Sequence, residues 1–495
     1  MLRSKRRLSS SSQGNNTIGN SGSSNTRKRT VKINAIRSAF FFLILLSLII
    51  LDIQRQKRYV VHNTPQNNQA GPYKKIEQTP PPVIHIVESI EEAPMFIETT
   101  DTKNEQKSEK IDTPAIETST DKFPTPSSMA HPDAMINIHP EFGTHRSNHD
   151  AVFTFAEDYP VETYVQFISF LRKSGYQGDV VLSVSSRDKM KPGVEEYLRQ
   201  QAKPDQVEIT GVSVVVYSVD WSCYSKKKGN EQVNGVRSGF TDCTTSLYGL
   251  KNEENGTIES LDDPREPRPV ATARYELYWI WSLQYKRSSR ILLIDVRDTY
   301  FQLDPFQGLP KLDDDVTSSA EEKEGGILHL YGENHEATSI SRSNYNRRWI
   351  EGAYGRQKML QIKDKPVICS GSTIGDAIAI EAYLRVMVKQ FDITKCKMTG
   401  CDQGFHNYIY YHNVLKDVPG IKNIIVYPQG EGAVNNLAAM RTKPLREWGV
   451  LEKETNKVLN WNGEPSPIVH QFDRDDELKN IMKDKVKKLM VDIHL

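Results

Sequence analysis

The run Ile291–Ile294 constrains the fold most, because it is an uninterrupted stretch of large aliphatic residues. A strand with one face in solvent alternates apolar and polar residues, whereas a continuous apolar run is typical of a strand buried on both faces. Strand-like and helix-like segments alternate before it, at Ala151–Phe155, Val161–Lys173, Asp179–Ser185, Val194–Gln201 and Val212–Val219. This order predicts an α/β domain with a mainly parallel sheet covered by helices.

Two carboxylates follow the apolar run, at a place where such sheets bind ligands. Asp295 ends the run and Asp298 comes after two intervening residues, and ligands of open parallel sheets bind beyond the carboxyl ends of the strands. Paired carboxylates there can hold a divalent cation, which in turn holds a diphosphate. Residues i and i+3 converge only if the chain turns, so the division of roles between the two acids stays open. The alternative is that both only cap a turn or the next helix.

The region before residue 148 differs in composition from the rest and divides into three parts. Residues 1–37 are basic and contain no acid, and the apolar run Ser38–Leu51 follows them. This asymmetry predicts a cytoplasmic tail followed by a single-pass transmembrane signal anchor at 38–53, in type II orientation. Residues 54–147 are rich in Pro, Thr, Glu, Lys and Gln and are predicted to form a flexible, disordered stem on the lumenal side. Residues 148–495 are then one large α/β domain.

Alternatives to the anchor remain open. Ser38–Leu51 is shorter than the roughly 20 residues that span an average bilayer, so a buried or amphipathic helix is the competing interpretation. The basic tail would also suit nuclear localisation or RNA binding, although beside an apolar run an orientation signal is the more economical explanation. A formal net charge of +1 over 495 residues argues against nucleic acid as the main partner.

The cysteines and the sequon fit a lumenal domain. All five cysteines follow the predicted anchor, in a compartment where disulfides can form, namely Cys223, Cys243, Cys369, Cys396 and Cys401. Their pairing cannot be read from the sequence, and one is left over. Asn255-Gly256-Thr257 lies in a polar stretch, which predicts an exposed loop and an N-glycosylation site at Asn255.

Three later segments place small or polar residues where a ligand could approach, namely Cys369–Gly375, Cys401–Asn407 and Pro467–Phe472. Each has a structural explanation when it is taken alone. Ser or Thr in the first segment can cap a helix, and so can Asp402 in the second. A lone histidine after an apolar pair, such as His470, is more often a structural residue than a ligand.

The order of these segments resembles that of the GT-A glycosyltransferases, particularly the glycogenin and galactinol-synthase-like group, over roughly 149–470. The strand ending in Asp295 looks like the family's Asp-x-Asp region, although the spacing here is Asp295-x-x-Asp298. Gly371 lies in a segment similar to the small-residue loop beside the donor sugar, where glycine lets backbone approach. Asp402 and Gln403 resemble the Asp-Gln-Gly segment at the acceptor side. His470 resembles the histidine that the C-terminal strand supplies to the metal.

The resemblance implies a GT-A, Rossmann-like fold and a set of site residues. Asp298 and His470 would bind Mn²⁺ or Mg²⁺, with Asp295 as a sugar contact that also reaches the metal. Asp402, together with Asp295, would be catalytic. Arg274 would contact the diphosphate or the acidic motif, with a surface salt bridge as the alternative. The implied donor-binding residues are Phe155, Ala156, Arg274, Asp295, Gly371, Ser372 and Gln403.

The expected function is transfer of a sugar from a nucleotide-diphosphate sugar to a glycan, protein or lipid acceptor in the Golgi lumen. Asp402 would be the general base if configuration is inverted, or would stabilise an oxocarbenium-like transition state if it is retained. The competing function is a non-catalytic lectin or scaffold on a degenerate fold, since fold does not fix function. A metal-dependent phosphoesterase would normally require a denser His/Asp cluster. The donor sugar, acceptor and linkage are not readable.

Overall fold

The computed structural model describes residues 124–226, 231–233, 241–312 and 325–492. The predicted cytoplasmic tail, the anchor at 38–53 and the stem up to residue 123 lie outside these residues. Within the described ranges, every helix is either too short or too polar to cross a membrane.

The elements are numbered here in chain order. The helices are α1 Pro126–Ala130, α2 Val161–Lys173, α3 Val194–Gln201, α4 Pro204–Thr210, α5 Val270–Ser282, α6 Asn344–Tyr354, α7 Arg356–Gln361, α8 Ala377–Thr394, α9 Cys401–Tyr411 and α10 Asp476–Asp492. The strands are β1 Met135–Ile136, β2 Ala151–Phe155, β3 Asp179–Ser185, β4 Ser213–Val219, β5 Ser222–Ser225, β6 Gln232–Val233, β7 Thr241–Thr244, β8 Tyr248–Lys251, β9 Ile258–Leu261, β10 Arg290–Ile294, β11 Thr299–Phe301, β12 Gly325–Gly332, β13 Ile368–Asp376, β14 Gly420–Tyr427, β15 Val434–Asn436 and β16 Ile468–His470.

A seven-stranded sheet with the order β14-β12-β13-β10-β2-β3-β4 forms the centre of the domain. Neighbouring strands are parallel except at β13, which runs antiparallel to β10 and to β12. The predicted α/β class with a largely parallel sheet is therefore confirmed. The carboxyl ends of the six parallel strands and the start of β13 consequently lie along one edge of the sheet.

Both faces of the sheet are buried, which explains the uninterrupted apolar run in β10. Leu292 and Ile294 pack into the core cluster that includes Phe167 of α2. Leu293 points the other way and packs into the cluster that includes Trp281 of α5. Successive side chains of a strand point to opposite faces, so a strand covered on both sides needs apolar residues at every position.

The polar segment Tyr224–Pro269 contains short antiparallel strands that the sequence pattern did not predict. Cys223 and Cys243 face each other across β5 and β7 and form a disulfide. A second disulfide joins Cys396 to Cys401 at the start of α9, and Cys369 is a buried free thiol. The strands were not predicted because they are short and polar, and their pairing depends on residues distant in sequence.

The packed region begins before the predicted boundary at residue 148. Phe142 is 8% exposed, and the amide of Glu141 donates to the carbonyl of Val216 at 2.7 Å. The carbonyl of Ser147 accepts from the amide of Lys286, also at 2.7 Å. The described residues 124–147, assigned to the stem from composition, therefore pack against the domain, because Phe142 is buried against the outer strand β4.

Candidate active site

The chain turns sharply after β10 and brings two acids and a histidine together. Residues 297–298 form a turn before β11 begins, and β11 pairs with β16 so that Thr299 lies opposite His470. The carbonyl of Asp298 accepts from the amide of Gln471 at 2.7 Å. Because of this turn, the carboxylates of Asp295 and Asp298 come together although the two residues are three positions apart.

Asp295, Asp298 and His470 have the geometry of a cation site. His470 Nε2 lies 3.7 Å from Asp295 Oδ2 and 3.8 Å from Asp298 Oδ1, and one ligand atom from each residue lies within 4.8 Å of the others. Adjacent ligands about 2.1 Å from an octahedral ion lie about 3.0 Å from each other, so a shift of less than about 1 Å in the side chains would bring these atoms to ligand spacing. The three residues therefore fit a divalent cation of ordinary size.

Asn436, at the end of β15, fixes the orientation of the His470 ring. The Asn436 amide nitrogen donates to the carbonyl of Tyr331 at 3.1 Å, which leaves its Oδ1 to face His470 Nδ1 at 2.8 Å. Nδ1 must then carry the proton, since amide oxygens only accept. Nε2, which makes no hydrogen bond with the described residues, faces the two carboxylates. A hydrogen bond of this kind orients metal-binding histidines in general.

Gly371 leaves the space that the cluster occupies. A Cβ at this position would lie 2.7 Å from Asp295 Oδ2 and 2.8 Å from His470 Cε1. Gly371 lies on β13, and its carbonyl accepts from the amide of Asp295 at 3.3 Å. Because Gly371 has no side chain, the carboxylates of Asp295 and Asp298 and the imidazole of His470 can all face one common point.

The electrostatics of the cluster favour positive charge at that point. Burial by itself lowers the pKa of His470, but interactions with Cys369, Asp295 and Asp298 raise this pKa well above its usual value. Burial would raise the pKa of Asp295, whereas Arg274 and His470 hold it well below its usual range. Without a metal, a proton on His470 partly neutralises the charge of the two carboxylates. A bound cation would supply this positive charge instead.

The three residues Asp295, Asp298 and His470 are called the metal-type cluster below. Arg274 connects this cluster to Asp402. It projects from α5, makes an ion pair with Asp295 and lies 3.4 Å from Asp402 Oδ2. The surface salt bridge considered as the alternative role for Arg274 is thus not what the structure contains. Asp402 lies in the first turn of α9 and is buried. Burial raises the pKa of Asp402, and Arg274 opposes that rise.

The structure uses Ser372 and Gln403 to hold neighbouring groups. Ser372 is fully buried, and its hydroxyl lies 3.2 Å from Asn436 Oδ1. The Gln403 side chain accepts from the amide of Ser370 at 2.7 Å and donates to the carbonyl of Ile368 at 2.5 Å. The oxygen and the nitrogen of the Gln403 side-chain amide therefore both already bond to the backbone of β13. Donor binding by these two residues stays a prediction.

A cavity of about 460 Å³ opens at the ends of β2, β3 and β4. Phe155 ends β2, and its ring packs edge-on against Trp221, with centroids 5.8 Å apart. The amide of Ala156 donates to the carbonyl of Ser183 at 2.9 Å. The next residue, Glu157, is a fully buried polar residue of the cavity wall, and its Oε1 accepts from Ser183 and Trp221. Phe155 thus packs behind Trp221, which lines the cavity, while neither Phe155 nor Ala156 lines it, and donor binding by these two residues stays a prediction.

Several site residues were not predicted. An acid directly after a buried strand had identified Asp295, and extending that rule to the second residue after the strand would have found Glu157 after β2. Arg297 lies 2.9 Å from Asp298 Oδ2, and Arg474 lies 3.7 Å from the same oxygen, so both guanidinium groups border the cluster. Asn436 carries no local signal, because its importance depends on a partner 34 residues away in sequence.

Asn255 lies outside this site. It is exposed in the turn between β8 and β9, and its Oδ1 accepts from the amide of Thr257 at 2.9 Å. The predicted exposure of the sequon is confirmed, whereas its glycosylation stays a prediction.

No protein-family model matches the chain, and no curated protein matches it. Among solved structures, the chain is similar to the galactosyltransferase LgtC in complex with donor and acceptor sugar analogues, with 10% identity and a TM-score of 0.35 over 70% of this chain and 96% of that one. An active-site mutant of LgtC gives 8% identity and a TM-score of 0.34 over the same shares. Similarity this low carries no argument about function, which rests here on the geometry of the site.

Proposed function

We propose that this chain is a metal-dependent glycosyltransferase of the GT-A type, which moves a sugar from a nucleoside-diphosphate sugar to an acceptor hydroxyl. One observation carries the proposal. Asp295, Asp298 and His470 converge at the carboxyl edge of the sheet, and Arg274 links them to the buried Asp402. A cation-binding cluster beside a buried carboxylate suits a reaction in which a diphosphate leaves and a hydroxyl loses its proton.

Asp295, Asp298 and His470 would hold the metal. Two carboxylates with one imidazole suit Mn²⁺, and Mg²⁺ is the alternative. When bound, the ion supplies a Lewis acid that neutralises charge on the leaving diphosphate. Arg297 and Arg474 border the same cluster and are placed to contact diphosphate oxygens, for which guanidinium groups are suited.

Donor binding would extend along the sheet edge from the metal cluster. The cavity beside Glu157 lies at the ends of β2, β3 and β4, of which β2 is next to β10. Neighbouring strands are about 4.8 Å apart, so the cavity starts close to the cluster. We assign this cavity to the nucleoside, with Phe155 packed behind its wall residue Trp221 and Glu157 as a buried polar group of the wall.

In the reaction, the bond between the anomeric carbon and the diphosphate oxygen breaks, and a bond from that carbon to the acceptor oxygen forms. If configuration is inverted, Asp402 takes the hydroxyl proton, and a pKa raised by burial makes it a better base than an exposed aspartate. If configuration is retained, the proton passes to the leaving diphosphate and Asp402 stabilises the positive charge on the sugar. Arg274 positions Asp402 in both cases.

The test compares Asp298→Asn, His470→Ala and Asp402→Asn with the native chain at several Mn²⁺ concentrations. We expect the first two to weaken Mn²⁺ binding and to lower donor turnover roughly 10²-fold or more, as loss of one preorganised electrostatic group does. Asp402→Asn should keep donor and metal binding and lose transfer. Asp484→Asn, at a largely exposed position, is the matched control.

Three outcomes decide against this function. Wild-type transfer in excess chelator would remove the metal from the mechanism, and full activity of His470→Ala at limiting metal would remove His470 from the site. Saturable sugar binding without release of nucleoside diphosphate from any nucleotide sugar in a panel would favour the lectin or scaffold. For an active enzyme, proton NMR of the first-formed product separates retention from inversion.

We further propose a type II membrane protein of the Golgi, anchored at 38–53, with the catalytic domain in the lumen and the acceptor a glycan, protein or lipid. The two disulfides and the exposed sequon at Asn255 support this, since both suit an oxidising, glycosylating compartment. Glycosidase treatment should increase the mobility of the native chain but not that of Asn255→Gln. If protease digests a C-terminal tag in intact microsomes, the C-terminus is cytoplasmic and the proposed orientation is wrong.

A further inference from the structure

A second cavity, of about 760 Å³, lies along the same sheet edge but on the other side of the metal-type cluster. Gly332 ends β12 beside Ile368, where β13 begins, and Tyr427 ends β14; all three line the cavity. The strand order places β12 and β14 on one side of β10 and the strands of the Glu157 cavity on the other. The cluster at the end of β10 therefore lies between two cavities.

Aromatic side chains dominate the wall of this second cavity, namely Tyr410, Tyr411, Tyr427, Trp448 and Trp461. Trp461 is 50% exposed but firmly held. Its backbone amide donates to the carbonyl of Gly430 at 2.9 Å, and its indole N–H donates to the carbonyl of Gln429 at 2.6 Å. The ring also lies directly over Gly430, where a Cβ would come within 2.5 Å of it. Trp461 is thus a fixed, exposed aromatic surface.

Among the polar groups of the cavity wall, the carboxylates of Glu333 and Glu336 are available to a ligand. Asn334 donates to Gln429 at 3.0 Å, and Gln429 donates to Asn435 at 2.6 Å, so these amides are engaged by one another. Glu333 lines the cavity, and its carboxylate forms no hydrogen bond or ion pair with the described residues. A carboxylate in this state accepts hydrogen bonds from a ligand's hydroxyl groups.

These features together select a neutral, polyhydroxylated ligand. A sugar ring offers an apolar C–H face to an aromatic ring and hydroxyl donors to an acceptor, and ligand sites typically combine apolar walls with a few polar groups. The wall carries two glutamates and two lysines, so it offers no net positive charge to attract a phosphate. Lys443, one of the two lysines of the wall, lies 4.0 Å over the Trp448 ring and is held there by a cation–π contact.

We propose that this cavity binds a pyranose unit of the acceptor, with Trp461 stacking on the sugar ring and Glu333 accepting hydrogen bonds from its hydroxyl groups. The assignment rests on the proposed glycosyltransferase function and names the acceptor class as a saccharide. It also places the two substrates on opposite sides of the metal-type cluster. The donor binds on the Glu157 side and the acceptor on the Trp461 side.

The test titrates the full chain, loaded with Mn²⁺ and nucleoside diphosphate, with methyl pyranosides of glucose, galactose, mannose and N-acetylglucosamine by saturation-transfer NMR. We expect at least one glycoside to bind saturably. Trp461→Ala should weaken its binding about tenfold or more, as expected for loss of a stacked aromatic partner, and Trp461→Phe should restore most of the affinity. Glu333→Ala should weaken binding independently, and Ile209→Ala, at an exposed apolar residue outside the cavity, should have no effect.

Donor hydrolysis without acceptor separates this inference from the proposed function. Trp461→Ala should hydrolyse the donor at the native rate while its KM for the saccharide acceptor rises. Saturable binding of no glycoside, or equal affinity in the Trp461→Ala, Glu333→Ala and native proteins, would overturn the acceptor assignment and leave the metal-dependent hydrolysis intact. Loss of nucleotide binding in Trp461→Ala would also overturn it, by assigning the cavity to the donor.

Discussion

At the scale of single residues, hydrogen bonds decide what the site can hold. His470 can present either ring nitrogen to Asp295 and Asp298, and the 2.8 Å contact between Asn436 Oδ1 and His470 Nδ1 selects Nε2, with Cys369 Sγ 3.7 Å from the same Nδ1. The Asn436 amide is itself fixed, because its nitrogen donates to the carbonyl of Tyr331. The metal-type cluster thus depends on a residue that would contact neither metal nor substrate.

Asn436→Ala should therefore weaken Mn²⁺ binding about 10- to 100-fold, the usual cost of removing a hydrogen-bond partner of a metal-binding histidine. Asn436→Asp keeps an acceptor for His470 and should retain more affinity than Asn436→Ala. The measurement is calorimetric titration with Mn²⁺, and Asn423→Ala, at an exposed position of β14, is the control. Unchanged affinity in Asn436→Ala would show that the ring is oriented by other contacts.

Gly371→Ala should damage the same cluster by a different route. The added Cβ would lie 2.7 Å from Asp295 Oδ2, so the acid or the strand must move, and overpacking of this kind costs about 1–3 kcal/mol. We expect lower thermal stability and at least tenfold weaker Mn²⁺ binding. Gly332→Ala is the matched control, since its Cβ would come no closer than 3.4 Å to its neighbours. If both variants bind Mn²⁺ equally, the space at Gly371 has no role in the site.

At the scale of elements, pairing between distant segments assembles the site. β11 carries the chain from Asp298, and β16 brings His470 beside it, while β13 brings Gly371 against the end of β10. The N-terminal segment makes a similar distant contact, since Phe142 forms an antiparallel bridge with Val216 of β4. The stability of the domain is therefore not contained within residues 148–495.

A protein that begins at residue 124 should retain native stability and donor turnover, whereas one that begins at residue 148 should be less stable. The shorter protein loses the buried ring of Phe142 and exposes part of β4. Phe142→Ala in the full chain should reproduce about 3 kcal/mol of this loss, the lower part of the range for a buried phenylalanine. Urea unfolding measures both effects. If the two truncated proteins unfold at the same urea concentration, the folded domain begins at residue 148 as the composition predicted.

At the scale of the whole molecule, the order of the strands distributes the functions along one edge of the sheet. β10 lies near the centre and carries the acids, with the Glu157 cavity on one side and the Trp461 cavity on the other. Each cavity contains a glutamate whose pKa burial raises to about 7, at Glu157 and at Glu333. The folded protein therefore holds protons near neutral pH that the unfolded chain would release.

For these two glutamates, this predicts a contribution to stability that falls as the pH rises from about 4.5 to 7. Glu157 has a pKa of about 7 in the folded state, against an ordinary value of 4.5, so between these values the folded state binds more protons than the unfolded state. Across this interval Glu157 should cost the native protein on the order of 1–3 kcal/mol. Glu157→Gln removes the titrating group, so its unfolding free energy should fall less over the same range. Parallel pH profiles of the native and variant proteins in urea unfolding would contradict the burial of a titrating carboxyl at this position.

The sequence by itself determined those features that depend on near neighbours along the chain. The period and length of apolar runs predicted β2, α2, β3 and α3 at their observed bounds, because burial imposes a pattern on consecutive residues. The acids after β10 were visible for the same reason, since the end of a buried strand is a local event. The small strands between Tyr224 and Pro269 were missed, because short polar strands have no such pattern.

Only the tertiary structure decided what those residues do together. It turned the chain at residues 297–298, paired β11 with β16, and placed Asn436 behind His470. It also gave Phe142 a buried site on β4 although the composition around it predicted a stem. Contacts between residues far apart in sequence depend on the packing of the whole domain, so neither the orientation of a histidine ring nor the position of two cavities on either side of a metal-type cluster is specified by any one segment.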